Sequence, residues 1–277
     1  MNTNSRTNRL SILLLIAMIL PFTTVNAQSE NDDEFGVWTT LEASKKINKK
    51  LKAGFEAEFR TMDGVDDIER YSLGARIDYK LNKESKINVG YTFIYNQKPS
   101  STSIKEAFDE EQGLYDYNVD HAYWVYRKRF YVTFSYEYKI GRFEKDWRER
   151  VQYTRTNSTT TDETKYRWEY TPPTYEDYSK TQTTEPEFKE SKNNTTLRSR
   201  INVKYDIANC KINPFASIEL YTRLDKWQNC EKLRYRLGAS YKINKDNSIS
   251  VFYLYQDTSD DDEPKGHAIG LEYSIDL

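Results

Sequence analysis

Leu51-Lys52-Ala53-Gly54-Phe55-Glu56-Ala57-Glu58-Phe59-Arg60 alternates without a break. Leu51, Ala53, Phe55, Ala57 and Phe59 are apolar. Lys52, Glu56, Glu58 and Arg60 are charged, and Gly54 has no side chain. Successive side chains of a strand point to opposite faces, so the segment has one apolar and one charged face. The same pattern returns about ten more times downstream. A succession of such strands predicts an all-β fold: a transmembrane antiparallel up-and-down β-barrel of about 10–12 strands.

Working outward, Phe35 to Ile47 places Phe35, Val37, Leu41 and Ala43 on one face. Arg70 to Leu81 sets Tyr71, Leu73, Ala75, Ile77 and Tyr79 against Arg70, Arg76 and Asp78. Ile87, Val89, Tyr91, Phe93 and Tyr95 form the next apolar face. Ala122 to Ile140 runs in one phase, and five more alternating segments lead to a last strand with Ile269, Leu271, Tyr273, Ile275 and Leu277. Short turns near 47–50, 82–85, 141, 210 and 244–247 alternate with longer connections near 63–68, 98–117, 155–194, 224–230 and 257–265. Short turns on one side and long loops on the other are the signature of an outer-membrane barrel. Residues 98–117 read as a long loop. Residues 155–194 read as a loop or as a hairpin extending the flanking strands. The count comes to about eleven, although single-chain bacterial barrels have even numbers; the parity stays open. A soluble β-sandwich accounts for any one alternating strand, but not for the same aromatic-rich pattern throughout.

Composition agrees. Charged residues make up 30% of the 277 and hydrophobic ones only 37%, and after the first segment no apolar run approaches the ~20 residues of a membrane helix. A barrel needs apolar residues only at alternate positions. The 23 tyrosines suit strands and membrane interfaces alike. A net charge of -2 implies no bulk attraction to nucleic acid. Two Cys and two His are too few for a structural zinc site, and no cofactor or metal site is expected.

Arg6 and Arg9 precede the apolar run Leu10–Leu20; Pro21 ends it, and Val25-Asn26-Ala27 offers a cleavage site before Gln28. Residues 1–27 therefore read as a secretory signal peptide and 28–277 as the barrel. The expected location is the outer membrane of a Gram-negative cell. Outer-membrane lipid is the expected partner, other outer-membrane proteins a second one, and nucleic acid none.

Gly36-Val37-Trp38, Glu56-Ala57-Glu58-Phe59-Arg60 followed by Arg70-Tyr71-Ser72-Leu73-Gly74, and the alternating arginines of Arg148-Glu149-Arg150, Leu197-Arg198-Ser199-Arg200 and Leu233-Arg234-Tyr235-Arg236-Leu237-Gly238 occur in this order. The chain in this respect resembles the Domain of Unknown Function 2490 family, outer-membrane barrels of Bacteroidota. The resemblance implies a fold and a location, and no settled activity.

The polar faces carry Glu56, Glu58, Arg60, Arg70, Arg76, Asp78, Arg127, Arg129, Glu137, Arg148, Arg150, Arg198, Arg200, Glu219, Arg223, Arg234, Arg236 and Glu272. On the lipid face each Arg or Lys would cost ~2–4 kcal/mol at the bilayer midplane, so these side chains are expected to line the lumen. Glu149 falls on the outward face. Two roles fit the inward charges: an ion-paired network that fills a narrow barrel, or a water-filled channel biased toward anions. The expected role is thus a narrow porin-like channel or a structural or assembly partner, not an enzyme. The alternatives are a barrel lipid hydrolase relying on His121 or His267, and a surface binding protein using the 155–194 loop. Asp260-Asp261-Asp262-Glu263 reads as a solvated acidic tip. Cys210 and Cys230 fall at opposite ends of one strand, up to ~40 Å apart, too far for a disulfide.

Overall fold

The computed structural model describes residues 34–170, 177–225, 230–259 and 265–277. The expected signal peptide and the acidic tip 260–263 lie outside the described residues. Among these residues there are fifteen strands and no helix. Eleven close into a barrel: Glu34–Lys46 (β1), Leu51–Met62 (β2), Asp67–Lys80 (β3), Ser85–Lys98 (β4), Tyr123–Ile140 (β7), Phe143–Thr156 (β8), Lys192–Tyr205 (β11), Ile212–Arg223 (β12), Cys230–Lys242 (β13), Asn247–Thr258 (β14) and Gly266–Asp276 (β15). Four more, Ser101–Asp109 (β5), Leu114–Asp120 (β6), Thr159–Tyr170 (β9) and Tyr178–Lys189 (β10), form a separate sheet in the order β10-β9-β6-β5.

Neighbours around the barrel pair antiparallel, except at the seam. There β1 and β15 run parallel, from Glu34 opposite Gly266 to Ser44 opposite Asp276. In a wall whose strands alternate in direction, an odd number forces this one parallel pair, so eleven strands close without a missing stave. Gly266 holds the seam open to close approach. Its φ is 148°, and a Cβ there would stand 1.9 Å from the Glu34 carbonyl oxygen.

The short turns share a local device. Asn48, Asn82 and Asn244 each accept hydrogen bonds from the backbone N–H groups two and three residues on, at 2.7–2.9 Å. An Asn side chain that caps the backbone in this way closes a tight turn. The other end of the barrel carries the long connections. Residues 98–117, expected as a loop, are mostly β5 and the start of β6. Alternation could not reveal β5, because it is mostly polar, exposed along most of its length, and twice shifts register against β6. The 155–194 segment is a hairpin, β9 and β10, and Tyr117 of β6 pairs with Tyr166 of β9 to join the two hairpins into one sheet.

The wall is inverted relative to a soluble fold. Val89, Phe130 and Ile201 are more than half exposed on the outside, while Arg70, Thr133 and Glu219 are 2%, 0% and 3% exposed inside. A small apolar cluster of Phe252, Leu254 and Ala268, with Trp38 and Phe215 against it, sits in the interior near the seam.

Candidate functional site: an arginine-lined lumen

The barrel encloses a cavity of about 460 Å³. Strand alternation aims at it Glu56, Glu58 and Arg60 of β2, Arg70, Arg76 and Asp78 of β3, and Arg127, Arg129 and Glu137 of β7. Arg148 and Arg150 of β8, Arg198 and Arg200 of β11, Glu219 of β12, Arg234 and Arg236 of β13 and Glu272 of β15 complete the ring. Arg223 does not line it. A register shift between Tyr221 and Thr222 ends the alternation there, and Arg223 pairs instead with Asp225 (2.9 Å) and Glu231 (3.0 Å) at the rim. Among the described residues, eleven arginines and three lysines line the cavity against nine carboxylates, so the lumen is basic within a slightly acidic chain.

Three networks organise these charges. Near the long-loop end, Arg60 meets Glu58 at 2.8 Å and Glu69 at 3.7 Å, and Arg70 meets Glu69 at 3.3 Å while donating from Nε to Asn96 Oδ1 at 2.9 Å. Toward the other end Arg76 gathers Glu42 (3.1 Å), Asp78 (3.5 Å) and Glu56 (3.7 Å). On the far wall Glu219 takes Arg148 (2.5 Å), Arg198 (3.0 Å) and Arg234 (3.8 Å), and Asp146 takes Arg200 (2.6 Å). Guanidinium groups suit such sites, because their planar fork satisfies carboxylates directionally.

Sequence reading missed several participants. Glu69 is the extra residue of a β-bulge, where Arg60 faces Arg70 but Thr61 faces Ile68; a bulge breaks the period of two and so hides its residue. Glu42 and Trp38 share the inward phase of β1, opposite Val37 and Leu41, and that phase could have found them. Rings line the lumen beside the arginines. Arg60 lies 3.6 Å and Arg234 4.8 Å from the Trp38 ring centre, and Arg150 lies 4.1 Å from that of Tyr131. Guanidinium stacking on aromatic faces holds the side chains in place.

The remaining candidates lie elsewhere. His267 hydrogen-bonds Tyr253 through Nδ1 on the outer surface. His121 Nε2 lies 2.7 Å from Thr164 Oγ1 in the second sheet. Asp120, Glu163 and Glu187 gather their carboxylates within 4.8 Å of one another, but Lys189 places its ammonium 3.1 Å from Asp120 and 2.5 Å from Glu187, where a cation would sit. Glu149, outward as expected, accepts from Trp147 Nε1 (2.7 Å) and Ser199 Oγ (2.6 Å). Cys210 and Cys230 are free thiols.

The model of a family described as proteins of unknown function, DUF2490, matches residues 35–266. No curated protein sequence matches the chain. Among solved structures, the β-domain of the Bordetella autotransporter BrkA is similar over 82% of both chains, with 9% identity and a TM-score of 0.44. The translocator domain of the autotransporter NalP from Neisseria meningitidis is similar over 94% of this chain and 95% of its own, with 9% identity and a TM-score of 0.28. An anion-selective porin from Comamonas acidovorans is similar over 84% and 83%, with 10% identity and a TM-score of 0.22.

Proposed function

We propose, from the premise that the chain belongs to the DUF2490 family, that it spans the outer membrane of a Gram-negative cell as a narrow, arginine-lined channel for small solutes. The inverted wall carries this reading. A barrel with half-exposed valine, phenylalanine and isoleucine outside and buried arginine inside suits a solvent that is apolar outside and polar within. In water the same wall would leave its apolar face unburied. The end with the Asn-capped turns is the periplasmic one, and the four-stranded sheet stands outside the cell. Export proceeds by cleavage after Ala27, with outer-membrane lipid as the first partner. We propose no enzymatic role; among the described residues His121 hydrogen-bonds Thr164 and His267 hydrogen-bonds Tyr253.

Planar-bilayer conductance of the refolded, heat-modifiable mature protein tests the reading. Steady single-channel steps, with a reversal potential in a salt gradient that favours anions, are expected. Silence from folded protein would overturn the channel and favour the second reading, a structural or assembly partner. That reading draws on the three ionic networks, which hold much of the lumen's charge in fixed pairs.

A further inference from the structure

We propose that the wall of β8, β11 and β13 binds a small multivalent oxyanion, inorganic phosphate being the simplest, between arginines that lack carboxylates of their own. This deepens the channel reading and rests on its premise that solute can enter the lumen.

Arg150 stands directly opposite Arg198, and Arg148 directly opposite Arg200, on two successive inward positions of the β8–β11 pair. Like charges directly opposite destabilise a sheet. The protein's own acids answer only part of this charge: Glu219 and Asp146 serve Arg148, Arg198 and Arg200. Arg150 donates from Nε to Thr133 Oγ1 (2.9 Å) and stacks on Tyr131. Arg236 donates from Nε to Ser217 Oγ (3.2 Å) and lies 5.3 Å from the Phe252 ring centre. Neither Arg150 nor Arg236 has a carboxylate within salt-bridge distance among the described residues. The Nε–H groups of Arg148 and Arg200 are buried without an acceptor.

Of the remaining lining carboxylates, Glu137 on β7 is taken by Lys86, Glu231 on β13 by Arg223 and Asp78 on β3 by Arg76. Glu42, Glu56, Glu58 and Glu272 belong to β1, β2 and β15, about half-way round the ring from β8 and β11. The β8–β11 pair therefore presents its arginines to the opposite side of the cavity from Glu42, Glu56, Glu58 and Glu272. Guanidinium forks with free N–H groups match the paired oxygens of a phosphate better than a spherical halide. A bound dianion would also relieve the two like-charged rungs.

The test uses the full mature chain refolded in detergent at constant pH and ionic strength. Its unfolding midpoint is followed as phosphate replaces chloride, for the wild type and for Arg150→Gln/Arg236→Gln. These substitutions remove charges without carboxylate partners, so the variant should fold. Phosphate should raise the wild-type midpoint in a saturable way, as a ligand of the folded state must, and the apparent affinity should fall at least tenfold in the variant. Equal shifts in both proteins, or a phosphate effect no larger than chloride's, would overturn the site. Phosphate-dependent stabilisation in a barrel that does not conduct would keep the site and overturn the channel. Conduction without a phosphate-specific shift would do the reverse.

Discussion

At the scale of the residue, the lumen depends on which acids stay with which arginines. Glu219 is the most committed, buried and shared by Arg148, Arg198 and Arg234. Removing one member of a buried ionic group leaves the others uncompensated. Glu219→Gln should therefore destabilise the barrel by about 3 kcal/mol, measured as a lower urea midpoint for loss of the heat-modifiable band; an unchanged midpoint would mean that water already screens these charges. Glu149 is the opposite case, a carboxylate on the outer face. Gln keeps an oxygen for Trp147 and Ser199 while discarding the charge, so Glu149→Gln should stabilise the barrel in lipid by on the order of 1 kcal/mol. A fall in the midpoint would show that the ionised form is needed there. Most lumen charges were legible because β2, β3, β8, β11 and β13 keep a period of two. Glu69 was not, because a bulge has no period, and neither was the difference between Arg198, which holds Glu219, and Arg150, which holds none. That depends on how neighbouring staves register.

At the scale of the element, the second sheet is built differently from the wall. Its strands β5 and β10 are mostly polar and exposed, so strand pairing, ion pairs and the packing of Phe108 on Tyr170 and Tyr178 stand in for a buried apolar core. Burial pushes the Asp120 carboxyl up, but hydrogen bonds from Lys189 and its neighbours outweigh this and hold it below the ordinary aspartate value. For Lys189, burial works against its charge, and Glu187 and Asp120 together still raise it above the ordinary lysine value. A lowered carboxylate contributes stability that is full above its unfolded pKa and lost as pH falls through the folded one; a raised lysine loses its share only in alkali. The protection of amides across 101–120 and 159–189, corrected for the intrinsic exchange rate, should thus fall below about pH 4, before that of the barrel strands changes. A simultaneous loss of protection in β7 and β8 would show that sheet and wall melt together. Replacing 159–189 by a short turn should leave the barrel heat-modifiable, because the β8–β11 ladder runs from Lys192–Thr156 to Tyr205–Phe143 without it. Loss of the folded band would assign the hairpin a part in closure. The sequence showed β9 through Tyr166, Trp168 and Tyr170, but a strand like β5, exposed, mostly polar and broken in register, has too little pattern to read.

At the scale of the molecule, alternation revealed the barrel and its approximate size, and it also raised the question of parity. It could not answer that question, since two-residue periodicity describes each strand against its neighbours and says nothing of how the first meets the last. The seam answers it with eleven parallel backbone positions, Gly266 thinning the contact where Glu34 begins.

The seam also sets Glu34 and Leu277 at opposite ends of the wall. With an odd number of passes, Glu34 starts at the end of the long connections and Leu277 stops at the end of the Asn-capped turns. An epitope placed ahead of Glu34 and another behind Leu277 should therefore be stained on opposite sides of the membrane, in intact and in permeabilised cells respectively. Both appearing on one side would refute the parallel closure. A circularly permuted gene could not rejoin the ends with a short linker, because the tether would have to travel the full height of the wall.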